Sequence, residues 1–100
     1  MIDKISSLVG EHVSKARFED LSLKAIASAK RSTLDTIGAM IAGSSAPGVD
    51  IVVNMAKGWG GTKEALVTGF GIYLPAPAAA WCNGTMARAL EIDDCVDFLP

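Results

Sequence analysis

The sequence predicts an all-α chain with one short extended segment near residues 64–68. Three observations carry that expectation. Residues 22–42 place Leu23, Ile26, Ala27, Leu34, Ile37 and Ile41 in one stripe at helical spacing, the pattern of a helix lying on a core. A second face (Val49, Val52, Val53, Ala56) follows Pro47, and a third helical run opens at Pro77. Only EALVTG, residues 64–69, is β-branched enough for a brief strand or extended connector.

Each element has a local cause. Residues 4–16 are weakly amphipathic through Ile5, Leu8 and Val9, which predicts a short first helix. Asp20 or Ser22 can cap the long second helix, and Gly43 followed by Ser44 and Ser45 can end it. Leu34 and Ile37, central in the stripe, are expected to be buried, with Ser28 and Ser32 exposed or facing a partner. Ser45-Ala46-Pro47 resembles a third helix start, stopped by the glycines of GWGG. FGIYLPAP reads as a loop, and the helix begun at Pro77 is expected to run through NGTMARALEIDD, residues 83–94.

A chain of 100 residues and 10.4 kDa holds one small domain. Half its residues are apolar and its mean hydropathy is +0.35, high for so large a surface-to-volume ratio. Some apolar surface is therefore expected to meet a second copy or a missing C-terminal region. Nine Lys and Arg against eleven Asp and Glu leave no basic excess for a phosphate backbone, which argues against nucleic acid. Cys82, Cys95 and the single His12 lack metal-site spacing and suggest no disulfide framework, so reduced thiols in a cytoplasmic protein are expected. No run approaches the ~20 apolar residues of a bilayer span, and the charged N-terminus lacks a signal-peptide core.

Two motifs invite chemistry. GWGGTK has Thr62 before Lys63, where a phosphate loop needs lysine first, and no GxGxxG is complete, so its glycines read as helix terminators. Cys82 reads as a small core residue. On a helix from Pro77, Gly84, Ala87, Arg88, Glu91, Asp94 and Cys95 share one side. That side is either a solvated face with a weak Arg88–Glu91 pair, or a site with room at Gly84, a carboxylate fork in Arg88 and acid–base groups in Glu91 and Asp94.

The runs AKRSTLDTIGAMIAG (residues 29–43) and AAAWCNGTMARALEIDD (residues 78–94) resemble the N-terminal part of the MmgE/PrpD family, which includes 2-methylcitrate dehydratase, cis-aconitate decarboxylase and iminodisuccinate epimerase. The resemblance rests on Leu34-Asp35-Thr36-x-Gly38 and on Asn83-Gly84 followed by Asp93-Asp94. It implies that the chain is the helical-bundle N-terminal portion of a large domain that pairs with a smaller lid domain, forms dimers, and acts on di- and tricarboxylates without a metal or organic cofactor. Family members usually have histidine at the position of Arg88, aspartate at Glu91 and threonine at Cys95. Their remaining site residues, a histidine and lysines, lie beyond residue 100, so this chain is expected to supply one wall and to be inactive alone.

Two readings follow. In the first, the chain is the N-terminal part, or a truncated member, of a lyase or isomerase family acting on small polycarboxylic acids. A 2-methylcitrate dehydratase-like hydro-lyase is the leading specific case. Glu91 and Asp94 would be catalytic, and Asn83, Arg88, Asp93 and Cys95 would bind substrate. In the second, it is a non-catalytic helical assembly module that keeps the family's packing surface. The departures at Arg88, Glu91 and Cys95 favour the second reading, and retention of Asn83, Gly84, Asp93 and Asp94 favours the first.

Overall fold

The computed structural model describes residues 2–92, with side chains from residue 4 onward. The architecture is mainly helical with a two-stranded hairpin: α1 (Ile2–Lys15), a 3-10 turn (Phe18–Asp20), α2 (Leu23–Gly43), α3 (Val49–Gly58), β1 (Ala65–Val67), β2 (Ile72–Leu74) and α4 (Ala76–Arg88). The chain divides into two units, one up to Lys30 and one from Arg31 on.

In the first unit, α1 keeps Ile5, Leu8, Val9 and Val13 exposed, and Lys15 pairs with Glu11 one turn earlier at 2.6 Å. The 3-10 turn is closed by the Asp20 carboxylate, which accepts from the Arg17 amide at 3.2 Å. Ser22 caps α2, its hydroxyl oxygen accepting from the Ala25 amide at 3.1 Å, one of the two caps the sequence offered.

In the second unit the core lies between α3, α4 and the hairpin. It consists of Ala46, Val49, Val53, Ala56, Val67, Leu74, Ala78, Ala79, Cys82 and Met86. Most of these side chains are small, so the elements approach closely, and Met86, Val53, Val67 and Cys82 are the largest fully buried groups. α3 begins later than Ser45-Ala46-Pro47 suggests: those residues form a turn, and Gly48, left-handed at φ 87°, leads into the first helical residue Val49. Its end at Gly58 is the one the glycines predict. There the amides of Trp59 and Gly60 fold back onto the carbonyls of Ala56 and Lys57.

The hairpin gives residues 70–77 a strand that the loop reading did not include. Ile72–Leu74 pairs antiparallel with β1, in register Ala65↔Leu74, Leu66↔Tyr73 and Val67↔Ile72. Val67 and Leu74 point into the core, while Leu66 and Tyr73 form a cross-strand pair on the open face. A partner segment five residues away in sequence turns a glycine-rich, Pro-flanked stretch into a strand, with left-handed Gly69 and Gly71 making the turn. Glu64 then fixes the entry to α4, its carboxylate accepting from the Ala76 amide at 2.9 Å, where an anion also complements the helix dipole.

The expected burial of Leu34 and Ile37 is overturned. Leu34 is 72% and Ile37 43% exposed, and Ile41 is exposed as well. The face of α2 that turns inward is instead the small and hydroxylic one: Ala39 and Gly43 are buried, and Ser32, Thr36 and Met40 are half-buried. Ser28 is exposed as expected and Ser32 is not. Periodicity selected the greasiest face, whereas packing against an alanine-rich core selected the face that allows the nearest backbone approach. The second helix ends where Gly43 predicts it.

Candidate functional site

The expected site centres on the end of α4 and the residues after it. α4 starts at Ala76 with Pro77 in its first turn, as the sequence suggests, and buries Ala78, Ala79, Cys82 and Met86. It ends at Arg88, however, before Glu91. Arg88 and Glu91 therefore do not share one helical face as the sequence suggests. After a turn at Ala89 and Leu90, Glu91 adopts the left-handed conformation (φ 53°), the only non-glycine residue among those described to do so. Its amide donates to the Arg88 carbonyl at 3.0 Å, so the chain folds back over the helix end. An α-helix continued through this stretch would need helical φ at Glu91.

Arg88 and Glu91 nevertheless stay neighbours. The guanidinium Nη2 lies 4.0 Å from Glu91 Oε1, with both side chains largely exposed. A surface pair of this kind contributes only ~0–1 kcal/mol. Arg88 also lines a shallow groove of about 420 Å³ with Pro47, Gly48, Val49, Thr85 and Ala89. Arg88 thus borders the groove beside the start of α3, which no side chain caps. Cation and helix N-terminus are both suited to a carboxylate.

Asn83 does a different job. Its carbonyl oxygen accepts from the Thr68 amide and its amide group donates to the Leu66 carbonyl, each at 2.9 Å, so α4 is stitched to the end of β1 through both halves of one side chain. Gly84 is exposed, and a Cβ there would meet nothing within 4 Å. Nothing steric among the described residues asks for glycine at that point. Asp93, Asp94 and Cys95 lie outside the described residues.

Cys82 is a core residue, as its sequence context suggests. It is fully buried, and burial pushes its thiol above the ordinary cysteine value against a smaller opposing backbone hydrogen bond. Among the described residues no three His, Cys, Asp or Glu side chains gather as a metal-ligand set, and no helix is long and apolar enough to cross a membrane. Sequence reasoning missed Glu64 as the group that organises the start of α4. Its only local signal was a carboxylate a fixed distance ahead of a Pro-initiated helix.

The sequence pattern of the MmgE/PrpD N-terminal domain matches residues 8–97. No curated protein and no solved structure matches the chain.

Proposed function

Since the chain belongs to the MmgE/PrpD family, we propose that it forms one wall of a site for small di- or tricarboxylic acids in a cofactor-independent lyase or isomerase. A 2-methylcitrate dehydratase-like elimination is the specific reaction favoured. In such a step a carboxylate removes the proton next to a substrate carboxylate, the electron pair forms the C=C bond, and the hydroxyl leaves as water after accepting a proton. The observation that supports this reading most is the groove in which Arg88 meets the uncapped start of α3. A guanidinium fork beside the positive end of a helix is matched to a carboxylate oxygen pair. Glu91, next to Arg88 and strained, is the proposed acid–base group on this wall, because backbone strain at a charged residue is commonly retained for function. Asp94 would share that role, and Asn83, Asp93 and Cys95 are proposed to shape the substrate's surroundings.

Citrate titration at constant ionic strength, followed by backbone NMR shifts, tests the wall. Saturable shifts confined to residues 47–49 and 85–92, lost in Arg88→Ala with the dispersed spectrum intact, are expected. A uniform, salt-like drift would return Arg88 and Glu91 to a solvated surface.

A second reading, an assembly module, draws on a different observation. Leu34, Ile37 and Ile41 form an exposed stripe on α2, and Ile51 and Met55 of α3 are exposed with Trp59 just after it, which stacks on Trp81 with centroids 5.0 Å apart. Faces of this kind suit a second copy of the chain. Sedimentation of Leu34→Glu/Ile37→Glu against the natural sequence tests it. Self-association lost in the variant supports a homo-oligomer through α2, and a natural chain that sediments as a monomer at high concentration removes this reading.

A further inference from the structure

We propose that the groove between the C-terminal end of α3 and β2 is a binding site for a compact oxyanion, a carboxylate or phosphate carried on a small apolar body, separate from the Arg88 groove. It measures about 380 Å³ and is lined by Lys57, Gly60, Gly61, Lys63, and the β2 side with Gly71, Ile72, Tyr73 and Leu74. Two lysines and no acidic residue line it. Neither lysine makes an ion pair or hydrogen bond through its side chain among the described residues. The nearest acid in sequence, Glu64, is turned to the Ala76 amide at the start of α4.

Backbone donors add to the two cations. Among the described residues nothing accepts a hydrogen bond from the amides of Gly61 or Lys63, both of which line the groove. The negative end of α3 is blunted here, because the Trp59 and Gly60 amides already bond the Ala56 and Lys57 carbonyls. Access is open: a Cβ at Gly60 or Gly71 would meet nothing within 4 Å. Gly61 is left-handed at φ 102°, and the Pro75 Cγ would lie 2.7 Å from a Cβ placed there, so this edge of the groove requires glycine. Ile72, Tyr73 and Leu74 of β2 form the far wall, which adds apolar surface beside the lysines. Lysines and unbonded backbone amides beside apolar side chains are the general make-up of a small-anion site. The phosphate-loop spacing that GWGGTK lacks is not needed, because the second lysine comes from the preceding helix and the far wall from a strand.

The test is NMR titration of the full chain with inorganic phosphate and, in a second arm, with propionate, each against sodium chloride at matched ionic strength. Saturable shifts at residues 57–63 and 71–74 are expected. Tighter binding of phosphate or of propionate assigns the preferred oxyanion. Lys57→Gln and Lys63→Gln are each expected to weaken binding roughly threefold and together roughly tenfold, the range of exposed charge contacts, while arginine at both positions retains it. Shifts that match the chloride control, shifts centred on residues 85–92, or glutamine variants that bind as well as the natural chain would overturn the proposal. Because both lysines are exposed, the variants keep the fold, and an unchanged amide spectrum outside the groove checks that they do.

Discussion

Gly43 and Met86 meet backbone to backbone: a Cβ built on Gly43 would overlap the Met86 carbonyl oxygen and sit 2.9 Å from its carbonyl carbon. This is where the end of α2 closes on α4, and only a residue without a side chain permits it. Gly43→Ala must push α2 away from α4 and is expected to cost ~1–3 kcal/mol as an overpacking substitution. Gly84→Ala, in the same helix as Met86 but facing open space, is expected to gain ~0.5–1 kcal/mol from backbone entropy. Chemical denaturation of the two variants separates them. Equal and opposite shifts in the other direction would mean that the contact at Gly43 is not formed.

Helix positions were legible wherever a local stop or start residue acted alone. Ser22 caps α2, Gly43 ends it, Gly58 ends α3, and Pro77 falls in the first turn of α4. What the sequence concealed depends on contacts between distant segments. β2 exists because β1 pairs with it, and the inward face of α2 was chosen by Met86 on another helix rather than by the stripe of Leu34 and Ile37. The end of α4 at Arg88 was concealed as well, since Ala89-Leu90-Glu91 contains no glycine or proline to announce a left-handed residue. The groove that Arg88 lines was not legible, because its companions Gly48 and Val49 lie about forty residues earlier and no spacing rule links them.

Asn83 carries a load that substitution should expose. Asn83→Ala strips the Thr68 amide and the Leu66 carbonyl of their partners at once. Water can replace Asn83 at the exposed Leu66 carbonyl, whereas leaving the part-buried Thr68 amide unsatisfied costs ~1–3 kcal/mol. The variant should lose that much in urea, with amide exchange at Thr68 accelerated before any other part of the hairpin. Exchange that stays slow there would show that α4 does not hold β1 through this side chain.

The buried Cys82 thiol gives a pH dependence with a defined sign. Its folded-state pKa is raised, chiefly by desolvation, so the folded state holds the proton more tightly than the unfolded one. The contribution is complete below the unfolded thiol pKa of ~8.5 and is lost as pH rises from there through the folded value. Stability should therefore decline above about pH 8.5, and Cys82→Ala should flatten that decline. Thiol reagents should modify Cys82 slowly in the folded chain and rapidly in denaturant.

Leu34 and Met86 offer a direct contrast between the two faces. With Leu34 72% exposed, Leu34→Ala is expected to change stability by no more than ~0.5 kcal/mol. Met86, fully buried, should cost ~2–5 kcal/mol when cut to alanine. A Leu34→Ala loss as large as that of Met86→Ala would restore the stripe to the core. If instead Leu34→Ala leaves the unfolding midpoint in place but weakens self-association, the α2 stripe is a surface that meets a second copy.

Glu91 is the residue at which stability and function should part. In the left-handed region a side chain costs ~1–2 kcal/mol, and glycine removes most of that while adding ~0.5–1 kcal/mol of backbone entropy to the unfolded chain. Glu91→Gly is accordingly expected to raise stability by ~0.5–1 kcal/mol. The pair with Arg88, at 4.0 Å and exposed, is too weak to reverse the sign. If the carboxylate is part of a polycarboxylate site, the same variant keeps the citrate-induced shifts at Arg88 and the start of α3, where the substrate carboxylate is anchored. In a chain completed by the remainder of its family's site, it should abolish turnover. Retained turnover in that completed enzyme would remove Glu91 from the acid–base role, and a loss of stability in Glu91→Gly would mean that the carboxylate itself holds the helix end.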